Sequence, residues 1–275
     1  MVEFYCTNLE RGDEKKGEKR EGKRSASSPV AFVVHDWGFT VKIVSGNDSS
    51  TAALLSGIAT WYGNPSGGGN GGACGYSTEV ENSPYYAMIA AGNNDIFNSG
   101  MGCGACFQVK CTENTACSGN PITVTITDQC PGCENNHLDL SGKAFGSMAN
   151  PGHADPLRSA GRINIQYQRV PCHYNTNIHF RIDTGSNTNY LAFVMEFVNG
   201  DGDLGTIELQ ASNSNAWMPM QLSWGVTWKI DLHNGEKGPF SVRLTSKDSQ
   251  KVAVASQVIP ENWAPGVTYQ SGINF

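Results

Sequence analysis

The sequence predicts a mostly β protein built from two domains, and three observations support this prediction. First, 275 residues are enough for two domains of ordinary size. Second, 32 glycines and a charged fraction of 16% are typical of short strands and many turns rather than of long surface helices. Third, eight of the nine cysteines lie between Cys74 and Cys172, so the second domain must fold on apolar packing alone.

Charge and hydropathy exclude several classes of function. The formal net charge of −6 gives no electrostatic reason to expect a nucleic-acid partner. No apolar run approaches the roughly 20 residues that a transmembrane helix requires, so we expect no transmembrane segment. The cysteines indicate an oxidising compartment, because disulfides persist outside the cytosol and are rare within it.

Residues 1–55 are predicted to be a disordered tail and linker. Residues 1–28 mix many basic and acidic side chains, a composition that cannot bury a core. They lack the apolar stretch of about 7–15 residues that a secretory signal needs. A wrongly chosen first exon, export by another route and retention inside the cell all stay open. The glycosylation sequon at Asn47 favours secretion, and Cys6 stands alone in the tail.

The sequence of the first domain predicts short strands separated by glycine-rich turns. The predicted strands are residues 58–62, 122–127 and 163–170. The second of these delivers Asp128 at its end. The glycine-rich loop at 67–72 implies backbone at positive φ or in close packing, and no Gly-Lys-Ser/Thr follows that would indicate a phosphate site. Residues 141–149 are the best helix candidate, because Asn-Pro-Gly follows them.

The sequence of the second domain predicts short strands and turns along its whole length. Seven strands are predicted at residues 178–182, 191–198, 206–210, 221–224, 227–232, 240–245 and 252–258. Short strands at this spacing favour an antiparallel sandwich. Its predicted core contains Phe193, Met195, Phe197, Leu209 and Leu222.

The cysteines of the first domain allow two interpretations. Cys103 with Cys106, and Cys130 with Cys133, have the spacing of zinc-binding pairs. A zinc site would leave the other four cysteines unexplained, whereas disulfides can use all eight. We therefore favour disulfides and expect no metal.

Asp128, His137 and Asp139 form the candidate acid–base cluster. A carboxylate at a strand end beside a histidine can act as a general acid, since burial raises its pKa into a useful range. Aspartates also cap helices, and Asp139 stands just before the predicted helix. The residues alone leave this choice open.

Aromatic side chains of the second domain form a candidate sugar-binding set. They are Tyr190, Trp217, Trp224 and Trp228. Aromatic faces suit sugar rings, although tryptophans of a sandwich mostly fill its core. Trp217 lies in a turn-like segment and is predicted to be at the surface, whereas Trp228 lies in an alternating strand and is predicted to be buried.

The order of these motifs resembles the β-expansins, plant proteins that loosen the cell wall. The matching segments are TWYG at 60–63, NGGACG at 70–75, GCGACF at 102–107, ITD at 126–128, HLDLSG at 137–142, LSWG at 222–225 and PFSVRLT at 239–245. They occur in the family's order and cover nearly all of the chain outside the tail.

The resemblance implies a particular fold for each domain. Residues 56–174 would form a six-stranded double-psi β-barrel related to family-45 glycoside hydrolases, and residues 178–272 an immunoglobulin-like carbohydrate-binding β-sandwich. The implied disulfides are Cys74–Cys103, Cys106–Cys172 and Cys111–Cys117. To these we add Cys130–Cys133 as an extrapolation.

The resemblance also implies functional residues. Thr60, Tyr62, Asp128, His137 and Asp139 would line a groove on the barrel, with Asp139 at the position of the hydrolases' general acid. Trp61, Tyr190 and Trp217 would bind polysaccharide. Two positions depart from the family pattern, because Gly69 replaces an acidic residue and Leu138 replaces phenylalanine.

The function implied is non-hydrolytic loosening of the plant cell wall at acidic pH. The partners would be glucuronoarabinoxylan and cellulose, and we expect a secreted, extracellular monomer without a cofactor. Two alternatives stay open. An endoglycanase would need a second groove carboxylate, for which Glu79 and Glu81 are candidates. A carbohydrate-binding paralogue would adsorb to the wall without loosening it.

Overall fold

The structure is a computed structural model that describes residues 54–69, 72–233 and 235–275. Cys6, the sequon at Asn47 and nearly all of the predicted tail lie outside these residues. The first strand begins at Leu55, which is the last residue assigned to the tail.

Six strands close into a β-barrel, as predicted. They are β1 (Leu55–Tyr62), β2 (Ile89–Gly92), β3 (Cys106–Lys110), β4 (Ile122–Gln129), β5 (His137–Ser141) and β6 (Ile163–Val170). Their order around the barrel is β1-β5-β2-β4-β3-β6. β1 pairs with β5, and β2 with β4, in parallel, whereas the other pairs are antiparallel.

Short helices occupy the connections between these strands. They are α1 (Asn94–Phe97), α2 (Gly142–Ser147), α3 (Ala154–Ala160) and the 3-10 helices Ser77–Glu81 and Asn98–Gly100. α2 is shorter than the helix predicted at 141–149. Ser141 is its N-cap and accepts a hydrogen bond from the Ala144 amide at 2.9 Å. Phe145 of α2 and Leu157 of α3 are fully buried against the barrel core.

Nine further strands form a β-sandwich. They are β7 (His179–Ile182), β8 (Tyr190–Glu196), β9 (Leu204–Gln210), β10 (Met218–Pro219), β11 (Gln221–Trp224), β12 (Thr227–Asp231), β13 (Phe240–Ser246), β14 (Val252–Ile259) and β15 (Thr268–Gln270). One sheet has the order β10-β9-β13-β14, and the other has the order β11-β12-β8-β7-β15. The seven predicted strands are all present, and β10 and β15 are additional.

The sandwich core lies between the two sheets. Phe193, Met195 and Leu209 are buried in it as predicted, and Leu222 packs against it at partial burial. Trp228 is also buried there, which confirms its assignment. These contacts provide the apolar burial on which a domain without disulfides depends.

The prediction that Phe197 belongs to the sandwich core is wrong. Its side chain is buried in a separate cluster between barrel and sandwich, which also contains Tyr76, Tyr85 and Val194. The rings of Phe197 and Tyr85 have centroids 5.0 Å apart. Phe197 has a φ of 63°, so it departs from the extended conformation that would have continued the inward alternation of β8.

The turn between β11 and β12 docks directly on the barrel. The Val226 amide donates to the Cys74 carbonyl at 2.9 Å, and a Cβ atom on Gly225 would overlap that same carbonyl group. Arg181 of β7 donates to the Gly75 carbonyl at 2.8 Å and pairs with the buried Glu196. The backbone carbonyls of Cys74 and Gly75 therefore accept hydrogen bonds from the sandwich.

Four disulfides stabilise the barrel and the segment that follows its last strand. They are Cys74–Cys103, Cys106–Cys172, Cys111–Cys117 and Cys130–Cys133, the pairs expected above. Cys103 and Cys106 belong to different disulfides, so the two Cys-x2-Cys pairs do not converge on one zinc ion.

Candidate functional site on the barrel

Four side chains stand in register on neighbouring strands of the barrel. Thr60 of β1 pairs with Asp139 of β5, Asp139 with Ala91 of β2, and Ala91 with Asp128 of β4. Paired residues of a sheet share a face. Leu138 and Leu140, which flank Asp139, are fully buried in the barrel core, so the four side chains point outward. We call Thr60, Asp139, Ala91 and Asp128 the acid row.

A register shift places Asp128 in this row. Val124 and Ile126 of β4 point into the core, and strict alternation would turn Asp128 inward as well. The pairing of β4 with β2 shifts between Ala90 and Ala91, so that Ala90 faces Ile126 whereas Ala91 faces Asp128. The additional residue is Thr127. An irregularity of this kind re-aims the side chain that follows it.

The neighbouring loop holds the Asp128 carboxylate. Its Oδ1 accepts the Ala73 amide at 2.7 Å and the Gln129 amide at 2.8 Å. Gly72 has a φ of 56°, and a Cβ atom there would overlap the carboxylate. Glycine is therefore required at this position, since only glycine combines positive φ with such a close approach.

Thr60, His137 and Asp139 form a hydrogen-bonded chain. The Thr60 hydroxyl donates to Asp139 Oδ1 at 2.6 Å, and Thr60 Oγ1 lies 2.9 Å from His137 Nε2. Because the single hydroxyl proton of Thr60 goes to Asp139, the Nε2–H group of His137 donates to Thr60. Asp139 lies within β5 and Ser141 caps α2, so Asp139 is not the helix cap.

Burial shifts both titratable groups of this chain toward their neutral forms. It raises the pKa of Asp139, against the hydrogen bond from Thr60 and the proximity of His137, which lower it. Burial and the charge of Arg162 lower the pKa of His137. Oδ1 of Asp139 is occupied by Thr60, so a proton on this carboxyl group resides on Oδ2. The group can donate that proton in a hydrogen bond to a sugar oxygen.

Tyr62 extends the site at the end of β1. Burial, followed by the charges of Asp128 and Asp139, raises the pKa of its phenol, which therefore stays protonated. A Cβ atom on Gly69 would lie 3.2 Å from the Tyr62 ring, so the glycine-rich loop passes over this ring. Glu81 fixes that loop by accepting the Gly68 amide at 2.7 Å. The sequence carries no signal for this role of Glu81.

Trp61 lies on the opposite face of β1 from Thr60 and Tyr62. It packs against the barrel core, and its indole N–H donates to the Arg158 carbonyl at 2.9 Å. The structure therefore does not bring Trp61 into the acid row.

Tyr190 and Trp217 lie on different sheets of the sandwich. Tyr190 begins β8 of the five-stranded sheet. Trp217 precedes β10 of the four-stranded sheet and lies under the Arg243 guanidinium, 4.6 Å from its ring centroid. Arg243 is in turn paired with Glu208. The structure does not place Trp217 on the same sheet face as Tyr190.

Within the described ranges, no group of three or more His, Cys, Asp or Glu side chains is arranged to hold a metal ion. No helix in the same ranges has the length and apolarity needed to cross a membrane.

Comparison with known families matches both halves of this structure. Residues 89–167 match the family described as "Lytic transglycolase", and residues 178–260 match the family described as "Expansin C-terminal domain". A solved expansin of Clavibacter michiganensis, a point variant in complex with cellohexaose, has the same fold. Its TM-score is 0.62 at 23% identity, over 81% of this chain and 98% of that one.

Plant relatives are much more similar in sequence. Expansin-B4 of Arabidopsis thaliana is 52% identical over 222 residues, which are 78% of this chain and 85% of that protein. Expansin-B11 of Oryza sativa subsp. japonica is 51% identical over 225 residues, which are 79% of this chain and 76% of that protein. At this identity and coverage, the chain belongs to the expansin-B family, the β-expansins.

Proposed function

We propose that this protein loosens the plant cell wall at acidic pH, without hydrolysis, by disrupting contacts among xylan and cellulose chains. The acid row would hold a glycan against the barrel, and protonated Asp139 would compete for hydrogen bonds that otherwise join neighbouring chains. The observation that carries this proposal is the residue beside Asp139 on β1. It is Thr60, a hydroxyl group that donates to Asp139 and cannot serve as a base at this pH.

The arrangement of carboxylates further supports non-hydrolytic action. An inverting glycosidase needs an acid and a base about 6.5–9.5 Å apart, with the base activating water on the opposite face of the sugar. Asp128 and Asp139 project from one wall of the barrel, with Ala91 between them. Asp128 also holds the Ala73 amide. Because its Oδ1 already accepts the Ala73 and Gln129 amides, Asp128 is better suited to fixing the neighbouring loop than to activating a water molecule.

The candidate bases Glu79 and Glu81 lie outside the acid row. Glu81 accepts the Gly68 amide, and the charge of Glu79 acts on Glu196 and His179, which belong to the sandwich. The disulfides agree with export to an oxidising compartment such as the cell wall. We expect the secreted protein to act there as a monomer.

Wall extension measured together with sugar release tests this proposal. Purified protein should extend heat-inactivated wall specimens under constant load at mildly acidic pH, without releasing reducing ends from xylan or glucan. Reducing ends that accumulate with time, far beyond the amount of protein, would identify an endoglycanase instead. Adsorption without extension would identify a binding paralogue.

We predict that Trp217→Ala weakens adsorption to insoluble cellulose or xylan. Aromatic side chains commonly dominate such contacts, and an insoluble polysaccharide offers many chains that can reach either sheet. The expected change is a severalfold lower bound fraction in a depletion assay, and Val254→Ala, an exposed aliphatic position on β14, is the control. Unchanged adsorption would show that the Trp217 ring serves only to pack against Arg243.

A further inference from the structure

The Cys130–Cys133 disulfide differs in exposure from the other three disulfides of the described residues. Neither of its cysteines is buried, whereas each of the other bonds has at least one cysteine that is 2% exposed or less. Pro131 and Gly132 lie between the two cysteines and are both exposed. A Cβ atom on Gly132 would meet no other part of the described structure within 4 Å. A small molecule in solution can therefore approach this bond.

The same bond closes the shortest loop of the four. Its sequence separation is 3, compared with 6 for Cys111–Cys117. The stabilisation that a disulfide provides by closing a loop in the unfolded chain decreases as the loop shortens, so this bond contributes the least. Its loss therefore costs the folded state little. Exposed disulfides are also the ones that thiols reduce most readily.

The disulfide lies in the connection between the two strands that carry the acids. β4 ends one residue after Asp128, and β5 begins at His137, two residues before Asp139. The connection consists of residues 130–136, and the disulfide closes its first half. The conformation of this connection therefore influences the relative position of the two carboxyl groups.

Hydrogen bonds join the disulfide turn to the barrel beside the acid row. The Cys130 amide donates to the carbonyl of Gly92, the last residue of β2, at 2.8 Å. The Cys133 amide donates to the Cys130 carbonyl at 3.1 Å, which closes the turn. The residue before the turn, Gln129, donates its amide to Asp128 Oδ1. The disulfide thus holds a turn that is anchored to β2 and adjoins the Asp128 carboxylate.

We propose that Cys130–Cys133 is a reversible thiol–disulfide exchange site, at which a low-molecular-weight thiol releases the turn beside the acid row and lowers wall-loosening activity. A thiolate of the reductant attacks one sulfur atom, forms a mixed disulfide and displaces the other cysteine as a thiolate. A second thiolate of the reductant then attacks the reductant's sulfur in the mixed disulfide and displaces the first cysteine. Two electrons pass to the cysteine pair, which takes up the two protons that the reductant releases.

The exchange itself is independent of the proposed function, and only its effect on activity rests on that function. The first experiment equilibrates the full chain with mixtures of reduced and oxidised dithiothreitol and traps free thiols by alkylation. Mass spectrometry of the peptides then gives the reduced fraction of each pair. Cys130–Cys133 should be half reduced at a ratio of reduced to oxidised dithiothreitol at least about tenfold lower than Cys111–Cys117. Oxidised dithiothreitol in excess should restore the bond. Equal ratios for the two pairs would overturn the proposal.

Extension assays test the effect on the acid row. Protein with only the Cys130–Cys133 bond reduced is alkylated, freed of reductant and compared with oxidised protein, and should extend wall specimens severalfold less. A Cys130→Ala, Cys133→Ala variant should match the reduced protein and lose its response to reductant. The matched control is Cys111→Ala, Cys117→Ala, which should keep that response. Thermal unfolding midpoints above the assay temperature would show that each variant is folded.

The outcomes separate this inference from the proposed function. Selective reduction of Cys130–Cys133 without any loss of extension would overturn its control over the acid row. A response to reductant that persists in the Cys130→Ala, Cys133→Ala variant would also overturn it, because another bond would then be responsible. Selective reduction of a protein whose oxidised form extends no specimen would instead contradict the proposed function and leave the exchange site standing.

Discussion

Asp139→Asn is expected to abolish wall extension and to leave adsorption to insoluble polysaccharide nearly intact. Asparagine keeps the oxygen that accepts the Thr60 hydroxyl, so the local structure is preserved. What it loses is the acidic proton that Oδ2 can offer to a sugar oxygen. Adsorption should survive because it depends mainly on aromatic contacts. Constant-load extension and a depletion assay on the same preparation measure the two properties.

The pH dependence of the unmodified protein should follow the same group. Burial raises the pKa of Asp139 above that of an ordinary aspartate, so its proton is retained to a higher pH than usual. Extension should therefore be greatest below this raised pKa and should fall as the pH rises through it. Asp155→Asn, at an exposed carboxylate on α3, is the control and should leave the profile unchanged. Full extension by Asp139→Asn would show that the carboxyl group only supports the structure.

Removal of the Cys106–Cys172 disulfide is the change expected to affect stability most. The bond joins β3 to the segment that leads into the sandwich and closes a loop with a sequence separation of 66. By loop-closure entropy, its loss from a Cys106→Ala, Cys172→Ala double variant should lower the free energy of unfolding by about 4 kcal/mol. Denaturant midpoints, read separately by tryptophan fluorescence and far-UV circular dichroism, measure the loss.

The matched control is the Cys111–Cys117 disulfide, whose sequence separation is only 6. The same relation gives about 2 kcal/mol for its removal. Equal losses in the two double variants would contradict the loop-length argument. They would indicate that local packing around the sulfur atoms sets the stability instead.

Much of the fold could be predicted from short-range patterns. Alternating β-branched residues located β4 and β6, and turn signals separated the seven longer strands of the sandwich. β10 and β15 escaped prediction because segments of two and three residues carry no periodicity. The helix at Gly142–Ser147 was placed correctly but drawn too long, since Ser141 acts as its cap rather than its first residue.

The site was predictable in its residue types and only partly in its geometry. Asp128 was located at a strand end, yet its outward direction depends on the irregularity at Thr127, which arises from pairing with β2. A turn-like sequence predicted Trp217 at the surface, and its ring is partly exposed; the contact with Arg243, on a strand distant in sequence, could not be predicted. Trp224 lies in a strand motif, and the contact of its ring with the Gly75 backbone involves a distant part of the chain. Long-range pairing of this kind is not encoded in local periodicity.

The docking of Gly225 against the Cys74 carbonyl has a mechanical consequence. Because Gly225 packs directly on the Cys74 carbonyl and the Val226 amide donates a hydrogen bond to it, the barrel and the sandwich have little freedom to rotate about this contact. The distance between Asp139 and Tyr190 is then fixed. Under the proposed function, a polysaccharide in contact with both residues would have to adapt its own twist to this fixed distance.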